Sequence, residues 1–299
     1  MRQATRSIHL LIALAFLLAA CAPNPPTSAP SAGSFMEAPS QTGDKCRAFT
    51  QDGDLTGALT ISEWDIPSGQ PGGIAVAPNG TVFVTINNSH RVAGYAFDGE
   101  QISEWNVEGE PLAIASGPGE QVYVTINNSH RVVGYRLDGR VASSWPVEGQ
   151  PTSLAVGPGG EVYVTINNSH RVFQFSAEGE QLAGWNVEGY PGNIVAGPGG
   201  EIYVTINNSH RVVQFDSRGE RLAEWNLEDQ PGPLAVGPGG EVYVTINNSH
   251  RVAVYSPQGD RIAEWMLDGE ALGLAIGRGG ELFVTINNSH HVVNFTCAP

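Results

Sequence analysis

The sequence predicts an all-β fold, a six-bladed β-propeller of four-stranded blades, and two repeated series carry that prediction. The nine residues Val-Thr-Ile-Asn-Asn-Ser-His-Arg-Val stand at 84–92 and return unchanged at 124–132, 164–172, 204–212 and 244–252; a sixth copy at 284–292 has His291 for Arg. Tryptophan stands at 64, 105, 145, 185, 225 and 265. A fixed step of about 40 residues, filled with short apolar runs, marks an array of small sheets, and sheets of that size close into a propeller.

Each element follows from the third copy, residues 150–189. Runs of β-branched and aromatic residues read as strands: Leu154 to Val156, Glu161 to Ile166, Arg171 to Phe175 and Gln181 to Trp185. Gly157-Pro158-Gly159-Gly160, Asn167-Asn168-Ser169 and Glu178-Gly179 separate them with turn chemistry. The second run supplies bulk to both sides through Val162, Tyr163, Val164 and Ile166, as a sheet covered on both faces requires.

The two series are out of phase. Trp64 precedes the first nine-residue copy and no Trp follows the last, so the sixth blade lacks a fourth strand of its own. Residues 59–64 at the opposite end of the array carry the missing pattern and are expected to complete it, which leaves no open sheet edge at the seam. An open solenoid is the competing arrangement and would need capping segments.

The chain divides into residues 1–20, 21–44 and 45–299. Arg2 and Arg6 followed by an apolar stretch from Ile8 to Leu18 form an export signal, too short to span a bilayer. Leu18-Ala19-Ala20-Cys21 resembles a bacterial lipobox, which implies lipidation at Cys21, a lipoprotein anchored to the membrane of the cell envelope, and an outer-membrane or surface location in a cell with two membranes. Residues 21–44, rich in Pro and Ser, read as a disordered tether. Cys46 and Cys297 bracket the array and are expected to form a disulfide in an exported protein.

Charge excludes one class of partner. Lys and Arg number 15 against 30 Asp and Glu, a formal net charge of −15, and no basic stripe interrupts it, so nucleic acid would be repelled.

The turns place a histidine at the same point of every unit: His90, His130, His170, His210, His250 and His290. Equivalent side chains on different blades stand too far apart to share a metal, so these read as structural turn residues. A general base needs a particular activating neighbour, and nearly every candidate is copied around the ring, His291 being the exception.

The run 71–85, Pro-Gly-Gly-Ile-Ala-Val-Ala-Pro-Asn-Gly-Thr-Val-Phe-Val-Thr, with Ser-His-Arg-Val at 89–92 and Phe-Asp-Gly at 97–99, resembles the NHL repeat family over about 71–295. Ile86 and Ser89 depart from that family's pattern, and Tyr-Val-Thr-Ile-Asn-Asn is similar to the YVTN repeats of surface-layer propellers. Both resemblances imply a propeller. NHL-type relatives include binding modules, sensor domains and some lyases or lactonases, whose metal-binding acids and unique His find no match here.

These readings lead to a lipid-anchored, non-enzymatic scaffold that binds a protein or envelope polymer, with no catalytic residue, cofactor or metal ligand assigned. Its candidate binding face carries Gln70, Glu110, Gln150, Tyr190, Gln230 and Glu270 before the first strands, with Ser153 and Asn193 within them. A propeller lyase or lactonase with a metal at the channel mouth is the alternative, and a structural surface protein the second.

Overall fold

The protein is described by a computed structural model over residues 59–297, apart from 68 and 288. The expected export signal, lipidation at Cys21 and tether lie outside the described residues, as does Cys46 and with it the expected disulfide to Cys297.

Six antiparallel four-stranded sheets account for every described strand. Blade 1 contains β2 (Pro71–Val76), β3 (Val82–Ile86), β4 (Arg91–Tyr95) and β5 (Gln101–Asn106), side by side in chain order. Residues 111–146, 151–186, 191–226 and 231–266 repeat it as blades 2 to 5. Blade 6 contains β22 (Ala271–Ile276), β23 (Leu282–Ile286) and β24 (His291–Cys297), and its outermost strand is β1 (Leu59–Asp65). β1 runs antiparallel to β24 with Leu59 opposite Cys297, Ile61 opposite Phe295 and Asp65 opposite His291. The phase offset of the tryptophans thus identifies the closure strand.

The innermost strands start earlier than the apolar runs suggest: the first strand of blade 3 covers Pro151–Val156, with a register shift between Pro151 and Ser153. Proline is tolerated there because it is the first residue of an edge strand, whose N–H side needs no ladder partner.

Apolar residues buried between neighbouring blades form the core. Across the seam, Ile66, Ile74, Val84 and Tyr95 pack with Ala275, Phe283 and Val292. Each tryptophan fills the gap between its blade and the next. Trp64 lies 6.1 Å from Phe283 in blade 6 and 6.3 Å from Tyr95 in blade 1, and Trp145 lies 6.0 Å from Tyr123 and 5.9 Å from Phe175. Gly99, at φ 86°, turns its backbone over Trp64, where a Cβ would stand 2.6 Å from the side chain; only glycine fits that contact and that dihedral.

A threonine stands at the same point of each second strand, and in blades 1, 3 and 6 its hydroxyl reaches the inner strand of the next blade. Thr165 donates to the carbonyl of Gly192 in the next blade at 2.9 Å, and Thr285 donates to Gly72 of blade 1 at 2.8 Å, which carries the series across the seam. Both hydroxyls are fully buried, where an unmade bond is costly.

Candidate functional site

The inner strands leave a central cavity of about 170 Å³, lined by Gly73, Leu112, Ser153, Asn193, Pro233 and Gly273 among others. No ionisable side chain lines it. Chemistry that needs a charge must therefore use the mouth, on the face that carries the blade-to-blade links and the Asn-Asn-Ser-His turns.

Those turns build the mouth. Asn87–Ser89 forms one 3-10 turn that ends in His90 at φ 52°, and all six equivalent histidines adopt the same left-handed backbone. Histidine is among the few residues enriched there, which accounts for a non-glycine at a position that ends a turn. The paired asparagines hold the mouth residue by its backbone. The N–H of Asn127 donates to the carbonyl of Glu110, while the N–H of Glu110 donates to Asn128 Oδ1 at 3.2 Å; the same pairing fixes Gln70 and Tyr190. In blade 5, Asp229 takes the accepting role; the N–H of Gln230 donates to it at 2.7 Å and holds its carboxyl below the usual range.

The candidate binding-face residues Gln70, Glu110, Gln150, Tyr190, Gln230 and Glu270 accordingly ring the mouth. Glu110, Gln150, Tyr190 and Gln230 are exposed, whereas Gln70 and Glu270 are half-buried. Ser153 is buried in the channel wall, where its Oγ accepts from the N–H of Ile194, and Asn193 is half-buried beside it. His170 stands edge-on to Tyr190 with ring centroids 4.6 Å apart, so the turn of one blade reaches the mouth residue of the next. His90 and Glu110, and likewise His250 and Glu270, stand in that same repeat relation.

One mouth carboxylate is distinguished by its surroundings. Asn287 Nδ2 donates to Glu270 Oε2 at 3.2 Å, and Asn287 Oδ1 accepts from Gln70 Nε2 at 2.6 Å. This chain of three side chains crosses from blade 6 to blade 1 and aims Glu270.

Among the described residues, the mouth brings no three ligating side chains together. The group of three ligating side chains within 4.8 Å of one another among those residues is Glu63, Asp268 and His291, on the two outer strands of blade 6 and the link that precedes it. No sequence pattern singled out that trio; the only signal was the replacement of Arg by His291.

A closed six-bladed propeller defines the class of protein. The virginiamycin B lyase family model matches residues 58–228, and the chain belongs to that family. The expectation of a non-enzymatic protein is thereby corrected: the family is one of enzymes. The repeats concealed this, because a residue copied six times gives no sign of which copy acts.

Among solved structures, a streptogramin B lyase is 14% identical with a TM-score of 0.66, covering 80% of this chain and 98% of its own. Virginiamycin B lyase from Staphylococcus aureus is 13% identical with a TM-score of 0.65, covering 80% and 100%. A catalytically inactive histidine-to-alanine variant of that enzyme, with quinupristin, gives 13%, 0.64, and the same coverage. At such identities the likeness shows the fold. No curated protein is similar to the chain in sequence.

Proposed function

We propose that the protein is a lyase acting at the channel mouth, with Glu270 and His250 as its acid–base pair. Family membership is the observation that carries this reading. A lyase breaks a bond by elimination, which requires a base to take a proton and an acid to return one to the leaving group. A half-buried carboxylate with an imidazole at the position where His170 meets Tyr190 would supply both, and Glu270 is held by a side-chain network that crosses to blade 1. The inactive relative is a histidine variant, which supports a histidine in the pair. His90 with Glu110 is the same pairing where blade 1 joins blade 2, but Glu110 is exposed. The remaining mouth residues, Gln70, Gln150, Tyr190 and Gln230, then hold the substrate, with Tyr190 the aromatic contact at 48% exposure.

The export signal and lipobox further place the enzyme, in this proposal, on the envelope through Cys21, where it would meet its substrate outside the cytoplasm.

The test is incubation of the chain with quinupristin followed by mass spectrometry. Elimination leaves the total mass unchanged and appears as a product of substrate mass that separates chromatographically from it, and turnover is lost in H250A and E270Q. No turnover, or products heavier by one water, contradicts the lyase reading.

A further inference from the structure

Blade 6 departs from the other five at a second place, on its outer strands. In blade 5, Arg251 extends its guanidinium between two carboxylates: Nη1 lies 3.0 Å from Glu264 on the blade's own outermost strand, and Nη2 lies 3.2 Å from Glu228 in the preceding link. Arg211 of blade 4 repeats the first contact with Glu224 at 3.0 Å and reaches the carbonyl of Glu188 in the link. Blade 6 keeps both acids, Glu63 on β1 and Asp268 in the link, but puts His291 where the arginine stands. The imidazole is shorter than a guanidinium and lies deeper, at 8% exposure. Its Nε2 is buried with no hydrogen-bond partner and stands 3.8 Å from Asp268 Oδ2, outside hydrogen-bonding distance. One oxygen from each acid and the imidazole nitrogen lie within 4.8 Å of one another.

We propose that Glu63, Asp268 and His291 form a divalent-cation site that clasps the closure of the ring. The chemistry of the donors is that of a cation site: a neutral imidazole nitrogen with two carboxylate oxygens suits Zn²⁺ or Mn²⁺, and leaves a fourth position to water. Ligands about 2.0–2.2 Å from a tetrahedral ion stand roughly 3.3–3.6 Å from each other, so the Nε2–Oδ2 separation is nearly that of a bound state and Glu63, exposed and free to rotate, closes the rest. Charge gives the same answer. In blades 1, 4 and 5 an arginine sets a permanent positive charge against the outer-strand acid; blade 6 keeps its acids without that arginine, and a divalent ion would supply the missing charge. The three ligands come from the N-terminal strand β1, from β24 at the other end of the array, and from the link leaving blade 5. An ion there ties together the segments whose meeting closes the propeller. The site is independent of the mouth and of the proposed acid–base pair.

The test is calorimetric titration of Zn²⁺ into the purified, chelator-treated chain, with thermal unfolding measured in parallel. One ion binds per chain and raises the unfolding midpoint. H291R restores the residue of the other five blades, folds like the parent, loses at least about 10–100-fold in Zn²⁺ affinity and no longer responds to chelator. E63Q and D268N weaken binding in the same direction. R251H, made in a blade that keeps both acids, raises the stoichiometry from one to two. Absence of saturable binding, binding that survives H291R, or an R251H chain that gains no second site overturns the proposal; the first two results would leave His291 as the partner of an ordinary His–carboxylate ion pair.

Discussion

Blades 5 and 6 share a plan of strands, turns and aromatic packing, but blade 5 is one continuous stretch of chain and blade 6 is assembled from its two ends. Blade 5 keeps an arginine between its acids and Gln230 at the mouth; blade 6 has His291 and Glu270 at those places. In the proposed function and cation site alike, the repeat supplies the ring and its exceptions the chemistry. Five near-identical units stabilise each other through the same contacts, so the sixth can change residues that the framework does not need.

That comparison can be broken at several levels. The largest effect is expected from deleting β1, residues 59–65. The deletion opens the β24 edge and uncovers Phe283 and Tyr95 at the seam, and cooperative thermal unfolding followed by circular dichroism should be lost. Retention of a single sharp transition would show that blade 6 does not depend on its borrowed strand. Next, W64A and W145A should each cost about 3–5 kcal/mol in urea unfolding, because each indole bridges two blades; a much smaller loss in W64A would mean that the seam packs more loosely than an ordinary blade junction. Smaller again, T285V and T165V should cost about 1–3 kcal/mol each, since each strands a buried carbonyl of the following blade. Unequal costs would separate the seam from the other junctions.

Alkali gives the gentlest perturbation. Burial, helped by nearby carboxylates, pushes the Tyr135, Tyr163 and Tyr243 hydroxyls up from 10.0 to about 12. The native state then holds protons that the unfolded chain releases at lower pH, so this contribution is intact below about pH 10 and declines between pH 10 and 12. Urea midpoints measured across that window should fall steadily, and a midpoint unchanged to pH 12 would mean that these phenols ionise as freely in the fold as outside it.

The ring was legible because it is written six times. The phase between Trp64 and the nine-residue copies located the closure strand without any knowledge of contacts, since a strand missing at one end and surplus at the other has one solution in a closed ring. The innermost strands were read too short because Pro151-Thr152-Ser153 resembles turn sequence; only their place on the channel edge makes Pro151 acceptable as strand. The left-handed histidines were recognised as turn residues from their position, but no glycine marked the backbone. At the mouth, Glu270 was visible as one of six variable positions, and nothing local distinguished it from Glu110; the distinction comes from Asn287 and Gln70, which lie 217 residues apart and meet only when the ring closes. The trio of Glu63, Asp268 and His291 was hidden for the same reason.

The central claim, that function resides where blade 6 breaks the repeat, is tested most directly by comparing kcat for E270Q and E110Q on quinupristin. The account predicts that E270Q lowers kcat by about 10²–10⁴-fold with an unchanged unfolding midpoint, while E110Q stays near the parent. Equal effects of the two substitutions, or a greater loss in E110Q, would contradict it.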